Sequence, residues 1–353
     1  MKYLLYIVVT SIFIFFSCNN LGTYSPNTKV LAKNIITTEA TKRITATLQQ
    51  FVDSGQIAGV SALVYEKDKE VYFGAFGFQD REAGISMDRN TLVKIYSMTK
   101  PVTGVALMTL YEQGLFELDD PVEKYAPEFA NLKVSLGLDD NARMILEDSK
   151  RRMTIRDLTR HTAGFANPNN YTLKGIGPIM KEKNPMNRNN TLTEIAEILG
   201  SVPLMFQPGT RWEYGICVDV QALLVERVSG VPYKEYVRKN VLDKLGMNDT
   251  RYYIPKEDRN RLAAIYRRDD DGYLNRLADA TAHSDFFTVW PLMRGGSGLS
   301  ARIDDYMTFA RMLVNEGSFN GVSILKPETV KLMATITSMN QSKKDLGCLL
   351  KGR

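Results

Sequence analysis

The sequence predicts an α/β (α+β) fold: an antiparallel sheet flanked by helices, interrupted by a large, mostly helical insertion. Three observations predict it. Two strand-like runs, residues 60–65 and 71–78, sit on either side of the charged turn Glu66-Lys67-Asp68-Lys69, the pattern of a hairpin. From Pro101 to about Arg261 the apolar residues recur mostly at helical spacing. Gly-rich turns then return. Strands first, a helical middle and a return to turns describe one layered fold carrying an insertion. The expected division is 37–100 with 290–353 as the sheet domain, and 101–289 as the helical one.

The elements follow in order. Residues 38–54 place Ile44, Leu48, Phe51 and Val52 on one helical face, with Gly55 as a stop. The hairpin comes next. Helices are expected over 102–113, 192–199, 218–228 and 233–242, the first stopped by Gly114 and the third by Gly230. A last amphipathic helix covers 304–315 and stops at Gly317. No internal repeat is visible.

Composition bounds the function classes. The chain has 353 residues, with 45 Lys and Arg against 40 Asp and Glu, a net charge of +5. Charged residues are 24% and hydrophobic residues 44%, which is globular composition and argues against disorder of the whole. So weak a surplus does not indicate nucleic-acid binding. The mixed-charge runs 147–152 and 267–271 read as solvated loops or helix faces.

Residues 1–17 read as a signal peptide. Lys2 precedes an apolar run over 4–16, too short to span a bilayer comfortably and suited to a signal h-region. The run ends in Ser17-Cys18, which resembles the lipobox of bacterial lipoproteins. That resemblance implies lipidation of Cys18, with 18–36 as a tether. The alternative is an ordinary secreted chain. Either way the mature protein leaves the cytoplasm, and a lipidated one is held at a membrane. Cys217 and Cys348 leave a single disulfide open, although Cys217 sits in an apolar run that suits a buried thiol. With only two histidines, His161 and His283, no Cys/His spacing suggests zinc, and no cofactor is expected.

The candidate chemistry begins at Ser97-Met98-Thr99-Lys100, which opens a helix. Residues at i and i+3 share a helical face, so the Lys100 amine can approach the Ser97 hydroxyl. A serine hydroxyl is a poor nucleophile until a neighbouring base takes its proton. A lysine can serve where burial and positive potential favour its neutral form. Pro101 fits an early helical position, and the helix N-terminus directs N–H dipoles towards Ser97.

The four-residue pattern has context. Further segments follow in order: Leu118-Asp119-Asp120-Pro121, Thr154 to Gly164 containing His161-Thr162-Ala163-Gly164, Phe206-Gln207-Pro208-Gly209, Leu245-Gly246-Met247, and Gly295-Gly296-Ser297-Gly298-Leu299-Ser300. Over roughly residues 40–335 the chain resembles the serine β-lactamase and penicillin-binding-protein superfamily. It looks most like the class C β-lactamases and the related family VIII carboxylesterases. The resemblance implies a β-lactamase/transpeptidase-like fold, Ser97 as nucleophile, Lys100 as its partner, and Tyr214 in the place of the Tyr of a Tyr-x-Asn triplet. A phenol acts as a base only where cations stabilise the phenolate, and Lys100 supplies that charge. Here the triplet reads Tyr214-Gly215-Ile216, so the Asn that orients a β-lactam amide is replaced by a residue without a hydrogen bond. With Asp219-Val220 following, this looks more like the esterase branch.

The resemblance also implies a late strand bearing Lys-Thr-Gly, His-x-Gly or Trp-Gly-Gly. After Ile324-Leu325-Lys326-Pro327 the sequence runs to Arg353 without one. The expectation is therefore a C-terminally truncated product, lacking the last strands and impaired, since one lost oxyanion donor costs roughly 10²–10³ in rate.

Other candidates are weaker. Gly296-Ser297-Gly298 is no nucleophile elbow, because Leu299 stands where Gly is required. Spacing alone leaves a triad through His161 or His283 open, although His161 reads as part of a helix-ending turn. Trp212 and Trp290 could line a cleft or pack in the core, and the loop 184–190 could border the pocket. The reading is a serine hydrolase acting on small carboxylic esters. The alternatives are a β-lactamase or D-alanyl-D-alanine carboxypeptidase, and a non-catalytic penicillin-binding-like protein or inactive fragment. A small-molecule ester or β-lactam-like substrate is the expected partner, with no nucleic acid.

Overall fold

The computed structural model describes residues 35–167, 173 and 175–335. All elements below belong to the unit Ile36–Arg353. Helix α1 (Thr38–Asp53) begins where Thr37 caps it, its side chain accepting from the Ala40 N–H at 3.1 Å. The expected hairpin forms as β1 (Gly59–Glu66) and β2 (Lys69–Asp80), with Glu66 opposite Lys69. Lys67 and Asp68 both take positive φ, +50° and +64°, the two-residue turn whose twist matches that of paired strands. β3 (Ile85–Ser86) adds to β2, giving the order β1-β2-β3. Among the described residues β1 pairs on one side only.

β4 (Leu92–Lys94) leads through a one-turn 3₁₀ helix, Tyr96–Met98, into α2 (Thr99–Glu112). The middle of α2 is apolar nearly all round, and Val102, Val105, Ala106, Leu107 and Leu110 are fully buried, as such a helix requires. The chain then forms a hairpin, β5 (Lys133–Leu138) with β6 (Met144–Asp148), inside the region expected to be mainly helical. Short helices α3 (Ile155–Thr159), α4 (Ile176–Lys183) and α5 (Leu192–Gly200) follow. Helix α6 (Cys217–Ser229) buries nine consecutive residues, Cys217 to Val225, and packs along α2. It ends at Gly230, whose left-handed φ of +68° lets its N–H reach Glu226 O. Among the described residues Cys217 has no disulfide partner; its thiol is buried, and burial pushes it up to about 12.

The helix expected over 233–242 divides into α7 (Tyr233–Val237) and a π turn, Arg238–Leu242. A second unforeseen hairpin, β7 (Tyr266–Arg268) with β8 (Leu274–Arg276), covers part of the charged run read as a loop. Two single-turn helices, α8 (Asp279–Ala282) and α9 (Ser284–Phe287), precede β9 (Ser300–Arg302). β9 pairs antiparallel with β4, so Lys94 stands opposite Ser300, and the Ile95 N–H donates to the Leu299 carbonyl at 3.0 Å, bringing the chain before Ser97 to the end of the Gly-rich segment. Helix α10 (Ile303–Val314) packs on β1 and β9. The minimal hairpin β10 (Ser318–Phe319) with β11 (Val322–Ser323) and helix α11 (Pro327–Ala334) complete the described chain. Residues 1–34, which include Cys18 and the run expected to be a signal peptide, and residues 336–353, which include Cys348, lie outside the described residues.

Candidate active site

Ser97 lies in the 3₁₀ turn that enters α2, its side chain exposed, and Tyr96 before it takes a left-handed φ of +44°. The Lys100 side chain returns along the helix and donates from Nζ to Ser97 Oγ at 3.1 Å. The same Nζ donates to the Gly296 carbonyl at 2.7 Å. Tyr214 Oη lies 2.6 Å from Ser97 Oγ, and the Lys100 ammonium sits 4.6 Å from the Tyr214 ring centroid. The three residues singled out in the sequence therefore meet at one hydroxyl.

Each is held from behind. Thr154 and Asp157 form a capping box at the start of α3, with Arg151 pairing both Asp157 oxygens at 2.7 and 2.8 Å. Thr162 Oγ1 also donates to Asp157, at 3.1 Å. This fixes the tight turn in which His161 takes φ +57°. His161 Nδ1 then accepts from the Gly215 N–H at 3.4 Å, its carbonyl accepts from the Glu213 N–H at 2.9 Å, and its ring stacks on Tyr214 at 5.2 Å. Trp212 stands edge-on to His161 at 6.2 Å and is exposed, forming the rim. His161 is thus a support for the Tyr214 backbone and ring, with its Nδ1 committed to Gly215.

Two residues with no assigned role in the sequence reading complete the site. Asp219, buried on α6, accepts from the Gly296 N–H at 3.1 Å. Burial pushes its carboxyl up, opposed by Arg294, the Gly296 N–H and Lys100. A Cβ on Gly296 would come within 2.7 Å of Asp219 Oδ2, so only glycine lets the segment approach this closely. The Gly296 carbonyl is thereby aimed at Lys100. Thr103 Oγ1 donates to the Gly295 carbonyl at 2.7 Å, and the Leu299 N–H donates to Thr99 Oγ1 at 3.2 Å, tying α2 to the same segment. Ile216 is buried in the core, so its side chain offers nothing to a substrate amide. His283 is buried against Phe287, 5.5 Å between rings. Among the described residues no group of three or more His, Cys, Asp or Glu could hold a metal.

The His161 environment gives a measurable consequence. Burial first, and the Lys100 charge second, push its imidazole down to about 4 from 6.5. The folded state therefore favours the neutral ring. Stability from this group is present above the unfolded value and is lost as pH falls from 6.5 through about 4. NMR titration is expected to show one imidazole, absent in His161→Asn, with a midpoint near 4. A midpoint above 6 would contradict the buried, Lys100-facing position.

The fold and the Ser97–Lys100 arrangement place the protein in the serine β-lactamase and transpeptidase-like superfamily. A family model described as Beta-lactamase matches residues 44–347, and the chain belongs to that family. An uncharacterised protein of Mycobacterium tuberculosis is 33% identical over 303 residues, 85% of this chain and 73% of the relative. Esterase EstB of Burkholderia gladioli is 30% identical over 221 residues, 62% of this chain and 53% of the esterase. Among solved structures, EstCE1, described as a hydrolase with promiscuous acyltransferase activity, superposes with a TM-score of 0.69 at 26% identity, over 82% of this chain and 75% of the other.

Proposed function

We propose that this protein is a serine hydrolase that cleaves small carboxylic esters through an acyl-Ser97 intermediate. The observation that carries the reading is the convergence on Ser97 Oγ of Tyr214 Oη at 2.6 Å and Lys100 Nζ at 3.1 Å. Ser97 Oγ attacks the ester carbonyl carbon while its proton passes to the Tyr214–Lys100 pair. The pair returns that proton to the departing alkoxide, which leaves as the alcohol. Water then attacks the acyl carbon and gives a proton to the same pair. The carboxylic acid departs as Ser97 Oγ is reprotonated. The Lys100 ammonium, held by the Gly296 carbonyl, stabilises negative charge on the phenolic oxygen during each transfer.

The esterase relative and the hydrolase among the solved structures support this chemistry. Burial of Ile216 supports esters over β-lactams, because that position presents no polar group. Purified protein is expected to hydrolyse p-nitrophenyl acetate and butyrate, and a fluorophosphonate probe is expected to label the peptide carrying Ser97. Cephalosporin cleavage without ester cleavage would favour a β-lactamase instead. An unlabelled protein would favour a non-catalytic one.

We also propose export and lipid anchoring at Cys18, supported by the apolar run 4–16 and Ser17-Cys18. Among the described residues no helix is long and apolar enough to cross a membrane. A fatty-acid label is expected in the full-length precursor's product and lost in Cys18→Ala. A wild-type product that takes up no label would sink the proposal.

A further inference from the structure

A cavity of about 110 Å³ lies against the residues next to the nucleophile in the chain, with Ser97, Lys100 and Tyr214 themselves outside its lining. Its walls include Tyr96, directly before Ser97, and Ser297 and Gly298, directly after the Gly296 carbonyl that holds Lys100. Three cations line it: Lys94 from the end of β4, Arg188 from the loop after α4, and Arg294 from the Gly-rich segment. Asp285 is the one carboxylate in the lining.

Two of the three cations, Lys94 and Arg294, form no ion pair among the described residues. Lys94 Nζ donates to the Ala282 carbonyl and lies 4.9 Å from the Phe286 ring centroid. Arg188 pairs with Asp285, donates to Ser284 Oγ at 2.8 Å, and stacks over Trp290 at 5.6 Å. Arg294 acts on buried Asp219 through space, yet its Nε is buried with no hydrogen-bond partner among the described residues. Arg188 repels both of the others. Burial and then Arg188 push Lys94 down to about 8, and burial and then Arg294 push Arg188 down. Counting Asp219 with Asp285, a surplus of positive charge still faces the cavity. An entering anion relieves that repulsion, and a carboxylate can accept charge-assisted hydrogen bonds from Lys94 and Arg294, which form no ion pair among the described residues, beside the Arg188–Asp285 pair. Phe286, Trp290 and Leu292 add apolar wall for the methylenes between such a carboxylate and the scissile ester.

We propose that this cavity is a carboxylate subsite, so that the preferred substrate is an ester carrying a second, free carboxylate. The inference deepens the ester-hydrolase reading and rests on it for the meaning of "substrate". Its test separates the two. In the Ser97→Ala protein, which cannot form the acyl-enzyme, calorimetric titration compares monomethyl glutarate with dimethyl glutarate. The half-ester is expected to bind at least about tenfold more tightly, the value of one charge-assisted contact. Adding Lys94→Gln or Arg188→Gln is expected to erase most of that preference, whereas Arg188→Lys, which keeps the charge, retains part of it. Equal affinities for the two compounds, or a preference that survives both Gln substitutions, would overturn the subsite. If the wild-type protein cleaves neither neutral nor carboxylated p-nitrophenyl esters while the binding preference holds, the subsite stands and the hydrolase reading falls.

Discussion

Ser97→Ala is expected to lower ester turnover by on the order of 10⁴-fold or more and to abolish fluorophosphonate labelling. The size follows from what the hydroxyl does. Lys100 Nζ and Tyr214 Oη both address that one oxygen, at 3.1 and 2.6 Å, so no other atom at the site inherits the assembled base. The fold has little reason to respond. Ser97 is exposed, and the groups it leaves remain in contact with water or keep other partners, Lys100 still donating to Gly296 O at 2.7 Å. No buried donor is stranded, which is the usual source of a large stability loss. Thermal unfolding of the variant should therefore match the parent within about 0.5 kcal/mol, the range of an exposed substitution. Turnover that falls less than about tenfold in a protein of unchanged stability would move the nucleophile elsewhere. Ser297, in the neighbouring cavity wall, would be the first residue to examine.

How far the site is legible in the sequence depends on the distance over which its contacts form. The Ser97–Lys100 pair is readable from spacing alone, because one helical turn brings i and i+3 together. Tyr214 is 117 residues away from Ser97, and no periodicity connects them. Only the resemblance, carried by the ordered segments, points to it. Asp219 and Gly296, 77 residues apart, show the limit more sharply. Asp219 lies within a run of buried residues on α6, where a lone carboxylate in an apolar helix is the available signal. The close approach that demands glycine at 296 becomes visible only once that carboxylate is placed beside it. His161 could be read as a turn residue, yet its stacking on Tyr214 depends on a left-handed backbone that the sequence does not announce.

The fold shows the same division. Helices α5 and α10 follow their apolar periodicity, because burial of one face sets it, whereas α2 and α6 show as apolar runs that are buried nearly all round. The β5–β6 hairpin leaves a fainter signal. Val134, Leu136 and Leu138 do alternate, but only Val134 is buried, and the charges at 147–152 resemble a solvated loop. A strand that packs against little leaves a weak pattern.

Tyr214→Phe is expected to lower kcat by about 10²–10⁴, the span of general acid–base catalysis, while KM changes by less than about threefold. The substitution removes one oxygen and leaves the ring. That ring still stacks on His161 at 5.2 Å and still faces the Lys100 ammonium at 4.6 Å, so the wall of the site and its opening are preserved. What disappears is the 2.6 Å route for the Ser97 proton. Lys100→Gln is expected to act on the same step. It removes the charge that steadies the phenolic oxygen and leaves the Gly296 carbonyl without its 2.7 Å ammonium. If the two side chains form one relay, Lys100→Gln/Tyr214→Phe should be no slower than the worse single variant by more than about threefold, because residues acting as a unit are strongly non-additive. Losses that multiply would mean that Lys100 and Tyr214 serve separate steps. In that case Lys100 alone would deprotonate Ser97, and Tyr214 would act only on the leaving group.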